Sequence, residues 1–162
     1  MPLHDFNIPE LSAPFVFRRR PATVPGDLRP GWRIGLVVLL MSECCRSART
    51  SLTRLHVLNW SIRSPETRAA LLAIMDGSDA VGSLIVRFEP FLNRAVDFGI
   101  GEGLIKRAGG GKTIELTNTG KRLAGDLKRA ENAFSAEKQF IASIGQKVTE
   151  RFVDDMFGKG AR

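Results

Sequence analysis

The chain has no tyrosine, two histidines and two cysteines among its 162 residues. This scarcity of ligating and nucleophilic side chains excludes much. His4 and His56 have no cysteine or carboxylate at metal-ligand spacing, so a metal site is not expected. Cys44 and Cys45 are adjacent rather than a C-x-x-C pair, and are expected to be reduced thiols, one of them buried. Neither a nucleophile elbow nor a dinucleotide fingerprint occurs, and Asp154-Asp155 has the look of a solvated acidic turn. His56 falls in a helical pattern, where a core-edge role is commoner than that of a base. Neither catalysis nor a cofactor is expected. Long apolar runs are missing as well: Ile34 to Met41 has eight residues, far below the ~20 that span a bilayer. The N-terminus has no basic stretch leading into an apolar one, so a cytoplasmic protein with no membrane partner is expected.

What is present is positive charge. Lys and Arg exceed Asp and Glu by 24 to 17, for a net charge of +7. Residues 1–63 hold nine basic against four acidic side chains, and residues 104–129 hold seven against two. Residues 64–103 are acidic instead. A basic surface of this kind favours nucleic acid, and equally an acidic protein partner.

Within the second basic region lies KRAGGGKTIELTNTG, residues 106–120. Its GGGKT resembles the end of a phosphate-binding loop, G-x-x-x-x-G-K-[ST]. The first glycine of that motif would fall at Lys106, and Ile114-Glu115-Leu116 alternates like a strand rather than opening a helix. Without a helix N-terminus behind it, the loop lacks aligned N–H groups for phosphate. A β-hairpin fits better, with strands over 104–108 and 112–116 and a glycine tip at 109–111.

Residues 1–30 carry six of the eight prolines and are expected to form an extended arm, since proline opposes helix. Phe15 and Phe17 make the arm too apolar for a free linker; it packs on its own domain or docks on a partner. A domain over 31–134 follows. Helices are expected from Trp32 to about Cys45, over 51–62 with Leu52, Leu55, Leu58 and Ile62 as its stripe, and over 65–76 after the Ser64-Pro65-Glu66 start signal. A strand is expected over 82–89 and a helix over 90–103, with Leu92, Val96 and Gly99 inward, Phe91 and Ala95 beside them, and Gly103 as its stop. Thr117 should cap a helix to Lys128 or beyond, with Gly120 allowing close backbone approach. Over 135–162 a long closing helix is expected, capped by Ser135 and reaching about Phe157, with Phe140, Ile144, Val148 and Phe152 on its stripe. That stripe could dock a partner, pair with its twin in a homodimer, or pack on the core.

Helices, a strand, a helix, a two-stranded hairpin and a closing helix point to a mainly α (α+β), winged-helix-like domain. The hairpin would be its wing. In the usual order two helices separate the first strand from the wing, whereas only the 90–103 helix is found there. Lys106, Arg107, Lys112, Lys121 and Arg122 on or beside the wing suit phosphate contact. The 90–103 helix, with Asn93, Arg94, Asp97 and Glu102, is a weak groove reader. The 51–62 and 65–76 pair could itself be a helix-turn-helix, with Arg54, Asn59, Arg63 and Arg68 on its polar side.

Three segments resemble a known family: LTRLHVLNWSIRSPETRAALL (52–72), VRFEPFLNRAVDFGIGEGLIKR (86–107) and IELTNTGKRLAGDL (114–127). They look like the middle components of bacterial ABC-three-component systems, small winged-helix-like proteins encoded beside an SMC- or Rad50-like ATPase and an effector. The resemblance covers roughly residues 30–130 and rests on packing residues. It implies a non-enzymatic adaptor subunit in Lamassu-like defence against phage or plasmids, with the ATPase and the effector as partners. The competing expectation is a homodimeric winged-helix transcriptional regulator that reads an operator.

Overall fold

The computed structural model describes residues 29–78, 86 and 88–158. The expected arm, with Phe15 and Phe17, lies outside the described residues apart from Arg29 and Pro30. The fold is mainly helical with a small antiparallel sheet.

Helix α1, Pro30–Cys44, starts with proline at its first turn, where the missing N–H costs nothing. Its segment Leu36–Met41 is at most 2% exposed, buried on every side. It is the axis of the molecule: α2 (Leu52–Ile62), α4 (Pro90–Gly101), α5 (Asn118–Arg129) and α6 (Ser135–Ile144) all pack on it. At Cys45 the backbone turns extended, and a tight turn over Arg46–Ala48, with Ser47 and Ala48 at positive φ, leads into a strand. That strand, β1 (Arg49–Ser51), was not expected. Ser51 ends it and at once caps α2, its hydroxyl accepting from the Arg54 N–H at 3.1 Å. The strand expected over 82–89 falls mostly outside the described residues, and Val86, Phe88 and Glu89 carry no strand.

Ser64 and Thr67 form a reciprocal capping box on α3, Pro65–Met75, each side chain accepting from the other's backbone N–H. Helix α4 ends as expected at Gly103: its N–H reaches Ile100 O at 3.0 Å and the Leu104 N–H reaches Gly99 O at 2.8 Å. The hairpin of β2 (Ile105–Ala108) and β3 (Thr113–Leu116) is present. Its tip, Gly109-Gly110-Gly111, has φ of 57°, 65° and 86°, left-handed backbone that only glycine adopts without strain. The sheet order is β1-β3-β2, so the expected two-stranded hairpin has a third strand, with Arg49 opposite Glu115 and Glu115 opposite Lys106.

The closing helix is broken. Instead of running from 135 to about 157, the chain forms α6, bends at Gly145 (φ 51°), and restarts as α7, Glu150–Met156, capped by Thr149. Phe134, itself in the left-handed region, takes the cap position expected for Ser135, and its ring lies 5.4 Å from Trp32. Asp154-Asp155 sits within α7 rather than in a turn. The break lets α7 fold back against α2. Phe140, Ile144 and Val148 consequently enter the main core and Phe152 packs at its edge, so the stripe offers no free docking face.

Candidate functional site

Eight cationic side chains were expected to face DNA or an acidic partner, and the fold sorts them. Arg54 is the clear correction. It is 6% exposed, and its Nε and Nη2 donate to Val148 O and Cys44 O, both at 2.6 Å. Glu150 lies 3.9 Å from its Nη1, and the Glu150 carboxylate also accepts from the N–H and hydroxyl of Ser51 at 2.8 and 2.7 Å. Arg54 ties the α1 C-terminus to the α6–α7 link; it touches no solvent-facing groove. Asn59 is buried against Glu89, and Arg68 donates to Ile62 O at 3.0 and 3.2 Å. The polar side expected for a 51–62/65–76 helix-turn-helix is therefore mostly interior. Arg63 stays half exposed but is ion-paired with Glu89, which also accepts from Arg33 at 3.1 Å.

The hairpin residues are where a basic surface should have them. Lys112 sits exposed at the tip, Lys106 and Arg107 are exposed on β2, and Lys121 and Arg122 are exposed on the first turns of α5 at its root. Two of these are partly offset: Lys106 lies 3.7 Å from Glu115 and Arg107 lies 3.5 Å from Asp97. Both pairs are exposed, so water and salt screen them. Arg49 is a cation the sequence reading missed. Its Nε donates to Thr113 Oγ1 at 3.0 Å, and its guanidinium stands where a side chain on Gly109 would be. Only the pairing of β1 with β3 brings it beside the hairpin.

Helix α4 turns an apolar face outward. Phe91 and Phe98 are 51% and 57% exposed, seven residues or about two helical turns apart, with Arg94 between them. Phe91 was expected beside the inward residues, and its exposure overturns that placement. Arg33 and Arg94 stand over the Phe91 ring at 5.3 and 5.7 Å. Pro30, Arg33, Phe91, Arg94, Ala95 and Phe98 line a shallow groove of about 190 Å³.

His56 has partners at both nitrogens. Nδ1 accepts from the Glu89 N–H at 3.4 Å, which leaves the proton on Nε2 to be donated to Asn93 Oδ1 at 3.0 Å. The Phe88 ring stacks on it at 4.5 Å. Burial pushes its pKa below the usual 6.5, against the opposing influence of Asn93 and Glu89. The unfolded chain then binds this proton more readily than the folded one, so the contribution of His56 is complete above 6.5 and declines as pH falls. Thermal melts from pH 7.5 to 5 should show a decline that His56→Gln flattens; an unchanged slope would exclude His56 as its source. Both cysteines are buried, rather than one. Burial, with Cys45 alongside, pushes the Cys44 thiol up to about 12, so neither helix face nor pH offers a reactive thiolate there.

Among the described residues, no helix is long and apolar enough to cross a membrane. No group of three or more His, Cys, Asp or Glu placed to hold a metal occurs among them either. No family model matches the chain, and neither a curated protein nor a solved structure does.

Proposed function

We propose that the chain is a non-enzymatic adaptor subunit of an SMC/Rad50-like ATPase complex, built on a winged-helix-like module whose basic wing lies along nucleic-acid phosphate. The order helix, strand, helices, hairpin, with strands arranged β1-β3-β2, supports the winged-helix part. With the first strand at 49–51, α2, α3 and α4 stand between it and the hairpin among the described residues, one more than the usual two.

The observation that carries the reading is a division of labour. Cations string along the hairpin from Lys112 at the tip to Lys121 and Arg122 at the root. The helix just before it, where a base reader would sit, presents Phe91, Phe98 and Asp97 with Arg94, and an Asn93 whose Oδ1 is taken up by His56. Phosphate contact needs only charge, whereas base reading needs donors and acceptors on that helix. The module thus has the means for sequence-independent contact and a second surface for protein. Membership of a defence complex rests on the family resemblance alone.

Gel shifts of the full chain with two unrelated duplexes should give equal affinities. With about four phosphate contacts, affinity should fall roughly a hundredfold between 50 and 200 mM salt. Lys112→Ala should lower the salt slope by about one contact on either duplex. Purification with the neighbouring gene products should retain a large ATPase. Selective binding of one promoter sequence at physiological salt, with no ATPase retained, would replace this reading with the homodimeric regulator.

A further inference from the structure

We propose that the groove between the start of α1 and the outer face of α4 receives an acidic amphipathic segment of a protein partner, one bulky apolar side chain entering it and a neighbouring carboxylate meeting Arg94. The proposal rests on the adaptor reading and names the surface that reading leaves open.

Three features select this occupant. The first is size. At about 190 Å³ the groove falls below the roughly 300 Å³ at which small-molecule sites begin, and suits a single aromatic or branched aliphatic side chain. Its apolar lining is Phe91, Phe98, Ala95 and Pro30. The second is charge. Arg94 has no carboxylate partner among the described residues; its guanidinium rests over the Phe91 ring at 5.7 Å, close to the apolar floor and open to solvent. Arg33 stands over the same ring and is held there by Glu89, so both cations on the rim are positioned before a ligand arrives. A carboxylate three or four residues from an apolar anchor on a helix would reach Arg94.

The third is what the face cannot do. Phe91 and Phe98 have no hydrogen-bonding groups with which to read a base edge or hold a phosphate, so duplex DNA is a poor fit. A second copy is also disfavoured. Pairing one twelve-residue helix with its twin buries well under the roughly 1,200 Å² of a stable interface. Exposed aromatic side chains beside an arginine are instead the usual make-up of a binding hot spot.

The test uses the full chain, immobilised, to select from a phage-displayed library of random peptides, followed by fluorescence anisotropy with the enriched sequences. The expected sequences combine Phe, Leu or Trp with Asp or Glu three or four positions away. Phe98→Ala should weaken their binding roughly thirtyfold, and Arg94→Glu by a similar factor, as loss of a hot-spot residue does. Lys112→Glu on the wing should change nothing. Both groove substitutions are at exposed positions, and unchanged thermal melts would show that the fold is kept. Peptides without acidic residues, or binding indifferent to Phe98→Ala, would overturn the proposal. So would a dimer by light scattering that Phe98→Ala converts to monomer, or DNA affinity that Phe98→Ala reduces. A photoreactive group at position 98 that crosslinks to residues 1–28 of the same chain would also overturn it. Peptide binding at the groove with no ATPase retained in co-purification would instead leave the groove standing and remove the adaptor reading.

Discussion

Arg54→Met should lower the free energy of unfolding by about 3–5 kcal/mol, one of the two largest effects expected in this chain. The reason begins at two helix ends. Cys44 closes α1, so its carbonyl has no intrahelical donor. Val148 lies in the link where the helix has already broken at Gly145, so its carbonyl has lost its donor too. Arg54 supplies both, at 2.6 Å each, and its charge sits at the negative end of the α1 dipole. Methionine keeps most of the side chain's length but no donor. Two buried carbonyls then go unpaired, at about 1–3 kcal/mol each. Arg54→Lys, a single donor group in place of a planar fork, should recover about half of the loss. Urea unfolding at constant m-value measures the difference. The same variant separates two roles for this arginine. A nucleic-acid contact would give normal stability and weakened DNA binding. The packing role gives the reverse, with any loss of binding tracking the unfolded fraction.

Arg54 also marks the boundary of what the sequence alone discloses. Features set by chemistry within a few residues were legible: Ser64-Pro65 starting α3, Gly103 ending α4, three glycines turning the hairpin, and Thr117 capping α5. Each is a local hydrogen bond or a local dihedral. Features that depend on distant partners were not. Arg54 and Asn59 look like part of the polar side of an amphipathic helix until Val148 and Glu89 are seen to meet them. Strand β1 was missed because three residues with one buried side chain give no alternation to detect. The closing helix was read as continuous because its apolar stripe is continuous: Phe140, Ile144, Val148 and Phe152 keep a spacing of four through the bend. Gly145 was the available sign.

The candidate site divides in the same way. A run of cations around a glycine tip is a local pattern, and in the folded hairpin those cations are exposed. The α4 face required knowing which side of the helix is covered. Leu92, Val96 and Gly99 do face inward as expected, which by helical period sends Phe91, Arg94 and Phe98 to the other side. The aromatic character of Phe91 pulled the reading the wrong way.

Gly120→Ala should destabilise by about 1–3 kcal/mol, although alanine is the better helix former. Gly120 lies in the first turn of α5, where the helix crosses the start of the hairpin. A Cβ there would collide with Leu104 O and stand 3.2 Å from Leu116 Cδ2. The obstacle is backbone, which cannot swing aside as a side chain would. Leu104 O is also engaged, accepting from the Thr117 N–H at 3.0 Å, while the Thr117 hydroxyl donates to Gly103 O at 2.6 Å and accepts from the Gly120 N–H at 3.1 Å. Moving α5 away to admit the methyl therefore stretches the bonds that join hairpin to helix. Overpacking costs about 1–3 kcal/mol and a lost hydrogen bond about 1, against roughly 1 returned by propensity. Gly125 on the same helix supplies the control. A Cβ there meets only the Arg129 Nη1 at 3.5 Å, an ordinary contact, so Gly125→Ala should stabilise by up to about 1 kcal/mol. Opposite signs from one substitution at two sites five residues apart would locate the cause in the Leu104 contact. If both variants gained stability, α5 would have to sit farther from the hairpin than this structure has it. The hairpin would then lack the anchor that holds its root against α5.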